Sequence, residues 1–203
     1  DTYRFRGCSG LETIHYLKGS TGAMPGRNGY SGNTYYTHSG EYASRAVLQS
    51  VDFEEGITAI GQYAFYGCTD LTSVTIPSSV QSVGDQAFDG CLALTSVTIN
   101  SNAVASAAYS YSTSYYYDNF KTRFGNQVTS YTLGSEVTAI GAYAFYGCTN
   151  MTQVTFNGAV TSIGNYAFQD CTSLTSVTLP SSVESIGNYA FRDCTSLTSV
   201  TLP

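Results

Sequence analysis

Apolar residues recur along this chain with a constant spacing of 23 residues, as from Ile140 to Ile163 to Ile186. Two further copies of the pattern begin at Ile60 and Val83. Each copy follows the frame Ile/Val-Gly-x-x-Ala-Phe-x-x-Cys-x-x-Leu/Met-x-x-Val-x-Ile/Leu/Phe. Self-similarity at such a period is typical of a repeat protein whose turns stack to bury a continuous core.

The two halves of each copy predict different local structures. Val177 and Leu179 alternate with threonines, which predicts a short strand. Ala167, Phe168 and Cys171 are spaced so that a single helical turn would place them on one side, facing inward. Stacked strands would pair in parallel about 4.8 Å apart. The repeated phenylalanines should then form one core column: Phe65, Phe88, Phe145, Phe168 and Phe191.

Two segments are longer than the repeat, and we interpret them as long turns with inserts at residues 18–47 and 101–127. The strands are expected to centre near Ile14, Val51, Val74, Val97, Tyr131, Val154, Val177 and Val200. The sequence therefore predicts an α/β repeat solenoid of about eight turns, a single domain over residues 1–203. A parallel β-sheet should form one face and short helical turns the other.

Each insert ends in a predicted short helix that replaces the Ala-Phe-Cys turn. HSGEYASRAVLQ has Ser39 as a candidate cap, and YDNFKTRFGNQ has Asp118. The pairs four residues apart should supply the missing inward contacts: Ala43 with Val47, and Phe120 with Phe124.

Composition narrows the possible partners. Charged residues make up 11% of the chain, hydrophobic residues 42%, and the net charge is −6 without any basic run. This balance argues against nucleic acid or an anionic membrane as the partner. No apolar stretch approaches the roughly 18 residues of a membrane helix. Because the chain opens in mid-repeat and closes after a strand, we expect it to be a fragment of a longer protein.

All six cysteines occupy the same slot of the frame. We therefore expect buried free thiols, with a bridge between adjacent turns as the alternative. Neither the cysteines nor His15 and His38 have metal-ligand spacing, so no zinc site and no cofactor are predicted.

The frame, together with the partial copy FRGCSGLETI, resembles the BspA-like, or treponemal-type, leucine-rich repeat. The segment GSTGAMPGRNGY is also similar to a stretch that precedes such repeats in gut bacterial surface proteins. The resemblance implies a right-handed leucine-rich-repeat superhelix in a secreted or cell-surface protein. Some members of this class are adhesins that bind host matrix proteins, and the class has no catalytic residues to carry over.

Two surfaces are candidates for ligand binding. The first is the concave strand face, where outward residues form a ladder that includes Asp52, Thr75, Thr98, Thr132, Thr155 and Thr178. Hydroxyl side chains there also suit cross-strand packing. The second is the pair of inserts, whose Tyr, Ser and Gly composition is that of antibody paratopes. Their tyrosines, which would otherwise pack on the solenoid flank, include Tyr30, Tyr35, Tyr36, Tyr42, Tyr109, Tyr111, Tyr115, Tyr116 and Tyr117.

Acidic residues offer no convincing catalytic site. Asp52, Glu54 and Glu55 in DFEEG, and His38 near Glu41, have no nucleophile, phosphate loop or metal spacing beside them. Another group, Asp70, Asp89, Asp170 and Asp193, is interpreted as a solvated edge.

The sequence thus favours a binding or adhesion scaffold for a protein or glycan ligand, outside the cell or on its surface, and not an enzyme. A passive spacer or display stalk is the alternative. The apolar residues Leu197, Val200 and Leu202 at the chain end further predict end-to-end self-association.

Overall fold

The computed structural model describes residues 13–16, 48–54, 56–109 and 118–202. Within them each main strand before the last is followed, with one exception, by a long connection that carries a shorter strand or a helix. The elements in chain order are β1 (Thr13–Tyr16), β2 (Ser50–Phe53), β3 (Ala59–Ile60), β4 (Ser73–Ile76), β5 (Ser82–Val83), β6 (Ser96–Ile99), α1 (Asn102–Ala105), α2 (Phe120–Phe124), β7 (Ser130–Leu133), β8 (Ala139–Ile140), β9 (Gln153–Phe156), β10 (Ser162–Ile163), β11 (Ser176–Thr178), β12 (Ser185–Ile186) and β13 (Ser199–Thr201). The exception is β1, whose connection to β2 lies outside the described residues.

All strand pairs in the described residues are parallel. The main strands pair as β1-β2, β4-β6-β7-β9 and β11-β13, while the two-residue strands pair as β3-β5 and β8-β10-β12. The central register aligns Val74, Val97, Tyr131 and Val154 across four neighbouring strands. This is the parallel solenoid that the period predicts, with a strand at each of the eight expected positions.

The prediction of about eight turns is confirmed only for the six that the structure describes in full. Six complete turns connect β2 to β13, since residues 1–12 and 17–47 lie outside the described residues. Helical content is also smaller than predicted: among the described residues it consists of α1 and α2 alone.

The Ala-Phe-Cys segments are not helical turns, which corrects the prediction. Successive hydrogen bonds three residues apart join Ala64 to Gly61 and Cys68 to Phe65, but Tyr63 and Gly67 have left-handed φ angles of 56° and 73°. These left-handed residues turn alternate amides toward the next turn of the solenoid. The amide of Phe65, for example, donates to the carbonyl of Ala87 at 2.7 Å. The segment is therefore a string of tight turns that still directs Ala, Phe and Cys inward.

The glycine of the Ile/Val-Gly step is required by close approach of the preceding turn. A Cβ on Gly84 would collide with the backbone of Gln62, and one on Gly164 with the backbone of Ala142. Gly141, which follows the long turn, would meet the carbonyl oxygen of Ala107 in the same way. Any side chain at this position would separate neighbouring turns.

The predicted phenylalanine column is present, with Phe65, Phe88, Phe145 and Phe168 buried and Phe191 half-buried. Phe65 stacks on Phe88 at 5.0 Å between ring centroids, and Phe145, Phe168 and Phe191 stack at 4.7 and 5.0 Å. The long turn fills the gap with the two residues the spacing identified. Phe124 stacks on Phe88 at 5.4 Å, and Phe120 meets Phe145 edge-on at 4.8 Å.

Helix α2 is capped by Asn119 rather than by the predicted Asp118. Asn119 is extended and lies next to Phe120, so its side-chain oxygen reaches the amide of Thr122 at 3.1 Å. The Thr122 hydroxyl accepts from the Asn119 amide at 3.0 Å, which completes a capping box. The Ser39-capped helix, with Ala43 and Val47, lies outside the described residues.

Five of the six cysteines are described, and all five are free thiols, as expected. Four are buried, and Cys194 is half-buried. The thiols of Cys91, Cys171 and Cys194 each donate to the carbonyl of the phenylalanine in the preceding turn, at 3.0–3.2 Å. The cysteine slot therefore links neighbouring turns without a bridge.

Candidate functional site

The outward side chains of the main strands form two straight columns. Because the strands pair in exact parallel register, Thr75, Thr98, Thr132 and Thr155 lie side by side on four neighbouring strands. Ser73, Ser96, Ser130 and Gln153 form the parallel column two residues earlier. Thr75 is exposed and the next three threonines are half-buried. We call this surface, defined by these eight residues, the strand face.

Threonines just before the strands use their hydroxyls differently from those on the strand face. The hydroxyls of Thr129, Thr152 and Thr198 each donate to the carbonyl of the corresponding threonine one turn earlier, at 3.2 Å. Within the described part of the chain, the hydroxyls of Thr75, Thr98 and Thr132 donate to no protein group. The first set therefore serves the stacking of turns, while the second is directed to solvent.

Two candidate residues lie beyond this continuous sheet. Thr178 is exposed on β11 and aligns with Thr201 of β13. Asp52 is exposed on β2, at the mouth of an open cavity of about 310 Å³ lined also by Ser73, Thr75 and Asn100. The structure thus brings four of the six predicted strand residues into one column, with Asp52 and Thr178 at its two ends.

Tyr109 is buried, which removes it from the exposed tyrosines that were candidates for binding. It is 3% exposed, and its hydroxyl donates to the carbonyl of Val104 at 2.6 Å. Its ring packs edge-on against Phe120 at 5.2 Å, and this burial raises the pKa of Tyr109 above its usual range. Its role is to pack the long turn against the core. The other insert tyrosines of the prediction, Tyr30, Tyr35, Tyr36, Tyr42, Tyr111, Tyr115, Tyr116 and Tyr117, lie outside the described residues.

A polar cluster joins the two ends of the segment between Tyr109 and Asp118. The guanidinium of Arg123 donates to the carboxylate of Asp118 at 2.7 and 3.0 Å and lies 4.8 Å over the Tyr109 ring. The amides of Tyr109 and Phe120 donate to Ala142 and Ala144 of the following turn. Both ends are therefore fixed at adjacent points of the scaffold.

The acidic residues do not assemble into a metal or catalytic site in the part of the chain that the structure describes. No group of three or more potential metal ligands occurs there. Asp52 and Glu54 are exposed, and Asp170 and Asp193 occupy equivalent left-handed positions of successive turns. Glu55, His38 and Glu41 lie outside the described residues. Among the described helices, neither is long enough to cross a bilayer.

The sequence reasoning missed a tyrosine column on the turn side. Tyr143, Tyr166 and Tyr189 precede the Ala-Phe pair in three successive turns, and their rings stack at 4.8 and 5.2 Å. A signal was present, because Tyr also occupies this slot at Tyr63 and therefore appears in four of the five regular copies. An aromatic residue that recurs outside the apolar frame marks an outward-facing position.

The family model of the BspA type leucine rich repeat region matches residues 38–127 and 122–203, with six copies. A leucine-rich repeat protein from Bacteroides ovatus is 28% identical, with a TM-score of 0.55 over 77% of this chain and 38% of that chain. The T. pallidum leucine-rich repeat protein is 30% identical over 71% of this chain and 51% of that chain, with a TM-score of 0.36. A leucine-rich cell surface protein from Faecalibacterium prausnitzii is 22% identical over 98% of this chain and 61% of that chain, with a TM-score of 0.38.

The chain spans less than two thirds of the length of each of these structures. No curated protein matches it.

Proposed function

Because the chain belongs to the BspA-type leucine-rich repeat family, we propose that it is a binding or adhesion scaffold that recognises a protein or glycan outside the cell. Proteins of this repeat class and fold serve mainly as interaction scaffolds, and catalysis forms no part of the proposal. The chain would act as one solenoid within a longer surface or secreted protein. The observation that carries the proposal is the threonine column of the strand face, in which the hydroxyls of Thr75, Thr98 and Thr132 donate to no protein group of the described residues.

The hydroxyls of Thr75, Thr98 and Thr132 support recognition because threonines three residues earlier in the chain use their hydroxyls for inter-turn hydrogen bonds. The hydroxyls of Thr129 and Thr152 donate inter-turn hydrogen bonds. Thr98 and Thr132 also lie beside neighbouring strands of the parallel sheet, yet their hydroxyls form no inter-turn hydrogen bond. A valine would serve a purely structural strand position equally well. The repeated hydroxyl at this position is thus consistent with a polar ligand lying across the strands.

The long turn supports a second contact region. Its ends are fixed beside each other by Arg123, Asp118 and the packed ring of Tyr109. A firm base lowers the entropy cost of presenting a recognition segment. In this proposal Tyr111, Tyr115, Tyr116 and Tyr117 supply large amphipathic contact area, as tyrosines do in paratopes. Tyr30, Tyr35 and Tyr36 of the first insert are assigned the same role.

One observation favours the alternative of a passive spacer. Tyr109, an insert tyrosine whose side chain is described, packs inward instead of facing a ligand. If the remaining insert tyrosines did the same, the inserts would only cover apolar surface. The two functions differ in whether the isolated chain binds anything.

The test is a panel of extracellular-matrix proteins and a glycan array probed with the 203-residue chain. The proposal expects at least one saturable ligand, and replacement of Tyr115, Tyr116 and Tyr117 by serine should weaken it about tenfold or more. Tyr109→Phe is the matched control, because it removes a buried hydroxyl and should leave affinity unchanged. A panel without any ligand would support the spacer instead.

A further inference from the structure

The tyrosine column, Tyr143, Tyr166 and Tyr189, is a regular array on the side of the solenoid opposite the strand face. The rings are parallel within 13° and 17°, and their centroids are 4.8 and 5.2 Å apart. The core, with Val154 and Phe168 both buried, lies between the two sides. The column therefore repeats once per turn along the solenoid axis.

The backbone at these positions does not favour tyrosine. The φ angles are 60°, 58° and 59°, in the left-handed region that glycine and asparagine adopt most readily. A bulky side chain at this position is uncommon. Tyrosine is present in spite of the local conformation, so its side chain must contribute something that asparagine would not.

The rings cover one another's faces and leave their rims outward. Tyr189 is 57% exposed, and the other two are half-buried. Within the described residues, the hydroxyls of Tyr166 and Tyr189 make no hydrogen bond. Asn165 and Asn188 flank the column, with the Asn165 side chain accepting from the Asn188 amide at 2.7 Å. The outward surface is thus a row of phenol hydroxyls and ring edges beside carboxamides.

We propose that the tyrosine column binds a linear β-linked glycan that runs along the solenoid axis. An extended β-linked hexose chain advances by a step similar to the 4.8 and 5.2 Å between these rings. One sugar per turn could then hydrogen-bond to the phenol groups through its hydroxyls and place hydroxyl oxygens against the electropositive ring edges. Tyr is suited to such mixed contacts, because it is apolar along the ring and polar at its tip. The chain's net charge of −6 favours a neutral glycan over an acidic one.

Peptides match this surface less well. A polyproline II helix advances about 3.1 Å per residue, and same-face residues of a strand are about 6.6 Å apart. An α-helix has a pitch of about 5.4 Å, but it docks through an apolar stripe in an apolar groove. The rim of the column is instead lined by hydroxyl and carboxamide groups. The spacing of the rings does not by itself distinguish a glycan from an α-helix. The polar groups on the rim of the column favour the glycan.

The site lies outside the surfaces assigned in the proposed function, so the two can fail separately. The experiment measures binding of cellobiose through cellohexaose, and of chitohexaose, to the 203-residue chain by titration calorimetry. Affinity should rise up to three or four sugars, in line with the three rings, and then level off. Maltohexaose, which is α-linked and curled, should bind at least about tenfold more weakly.

Asparagine variants separate binding from folding, because asparagine accepts the left-handed conformation. Replacing Tyr143, Tyr166 and Tyr189 together by asparagine should lower β-glycan affinity about tenfold or more. Tyr63→Asn is the matched control, since the following turn carries Gln86 in this slot, and it should leave affinity unchanged.

Tyr166→Phe keeps the stack and removes only one hydroxyl, so it remains informative if the triple variant fails to fold. It should weaken β-glycan binding about threefold while the thermal midpoint stays constant. The proposal is overturned if no β-linked oligosaccharide binds, if maltohexaose binds equally well, or if either Tyr166→Phe or a folded triple variant binds as the parent does. Preferential binding of an amphipathic helical peptide at the column would also overturn it.

Discussion

The regular turns and the long turn between β6 and β7 fill the same core in different ways. In the regular turns one phenylalanine per turn stacks on its equivalent, as Phe145 does on Phe168 at 4.7 Å with nearly parallel rings. In the long turn Phe120 and Phe124 reach the core from a short helix, and Phe120 meets Phe145 at 90°. The solenoid therefore requires an aromatic ring at each level of the core but not a particular backbone to carry it.

The polar contacts of the two regions differ as well. Regular turns are held together by a repeated set of bonds, in which backbone bonds such as Phe168 to Ala190 at 2.7 Å are joined by equivalent cysteine and threonine side-chain bonds in successive turns. The long turn depends on individual side chains: Asn119 caps α2, and Arg123 binds Asp118. Core substitutions in the regular turns should therefore act through packing, whereas polar substitutions in the long turn should act through the individual hydrogen bonds of Asn119 and Arg123.

The largest expected loss of stability follows the removal of one aromatic ring from the core, either in a regular turn or in the long turn. Phe168→Ala and Phe120→Ala should each lower the free energy of unfolding by about 3–5 kcal/mol, because both side chains are fully buried. Urea unfolding followed by circular dichroism measures the change. If the two regions share one core, both variants unfold in a single transition. A separate early transition in Phe120→Ala alone would show that the long turn is an independent unit.

Alkaline pH should destabilise the protein through its buried thiols. Burial raises the pKa of Cys148 from 9.0 to about 12 and the pKa of Cys171 well above its usual value. The stabilising effect of the protonated thiol is complete below pH 9.0 and is lost as the pH rises toward 12. At that limit Cys148 would account for up to about 4 kcal/mol.

Alkylation rates test the difference in burial between individual cysteines. The hydrogen bond from Cys171 lowers the pKa of Cys194, which is also half-buried. Under native conditions at pH 8, iodoacetamide should therefore modify Cys194 well before Cys148. Equal rates, read by mass spectrometry, would contradict the burial of the cysteine slot.

Asn119→Ala tests the dependence of the long turn on individual side chains. It removes the capping box of α2 and the bond from the Asn119 carboxamide to Tyr146 at 3.1 Å. We expect a loss of about 1–2 kcal/mol in unfolding free energy. Asn157→Ala in a regular turn is the control, since Asn157 is exposed and its side chain makes no hydrogen bond to the described residues, and it should cost less. Equal losses at the two positions would remove the distinction between the regions.

The smallest expected effect is a gain in stability at the boundary between the regions. Tyr131 takes the strand position held elsewhere by valine, and it fills the space beside Phe120 and Phe145. Its hydroxyl is buried without a standard hydrogen-bond partner. Tyr131→Phe should therefore be neutral or stabilising by up to about 1 kcal/mol. A clear destabilisation in thermal unfolding would show that the hydroxyl has a favourable contact with the nearby Cys148.

Most of the fold could be predicted from the sequence, because strand periodicity and the spacing of the phenylalanines are local signals. The spacing of Phe120 and Phe124 was sufficient to place both in the core. The turn conformation was predicted wrongly, since Ala, Phe and Cys at these intervals share one side in a helical turn and also in a string of tight turns. The left-handed φ angles at Tyr63 and Tyr166 could not be predicted from the sequence, because tyrosine seldom adopts them.

The candidate binding site was less predictable from the sequence, because it depends on contacts between neighbouring turns. The strand face followed from alternation alone, but the division between committed and uncommitted hydroxyls depends on contacts with the neighbouring turn. The burial of Tyr109 likewise depends on Arg123 and Phe120, which are distant along the chain. Whether a tyrosine packs or faces outward is decided by such contacts and not by composition.

The central claim, that the strand face recognises a ligand while the neighbouring threonines only join turns, is tested by two sets of valine variants. One set replaces Thr75, Thr98, Thr132 and Thr155, and the other replaces Thr129 and Thr152. Against a ligand from the matrix-protein and glycan panel whose binding is unaffected by asparagine at Tyr143, Tyr166 and Tyr189, the first set should lose affinity about tenfold or more with stability unchanged. The second should lose roughly 0.5–1.5 kcal/mol of stability per hydrogen bond and keep its affinity. Unchanged affinity in the first set would contradict the claim.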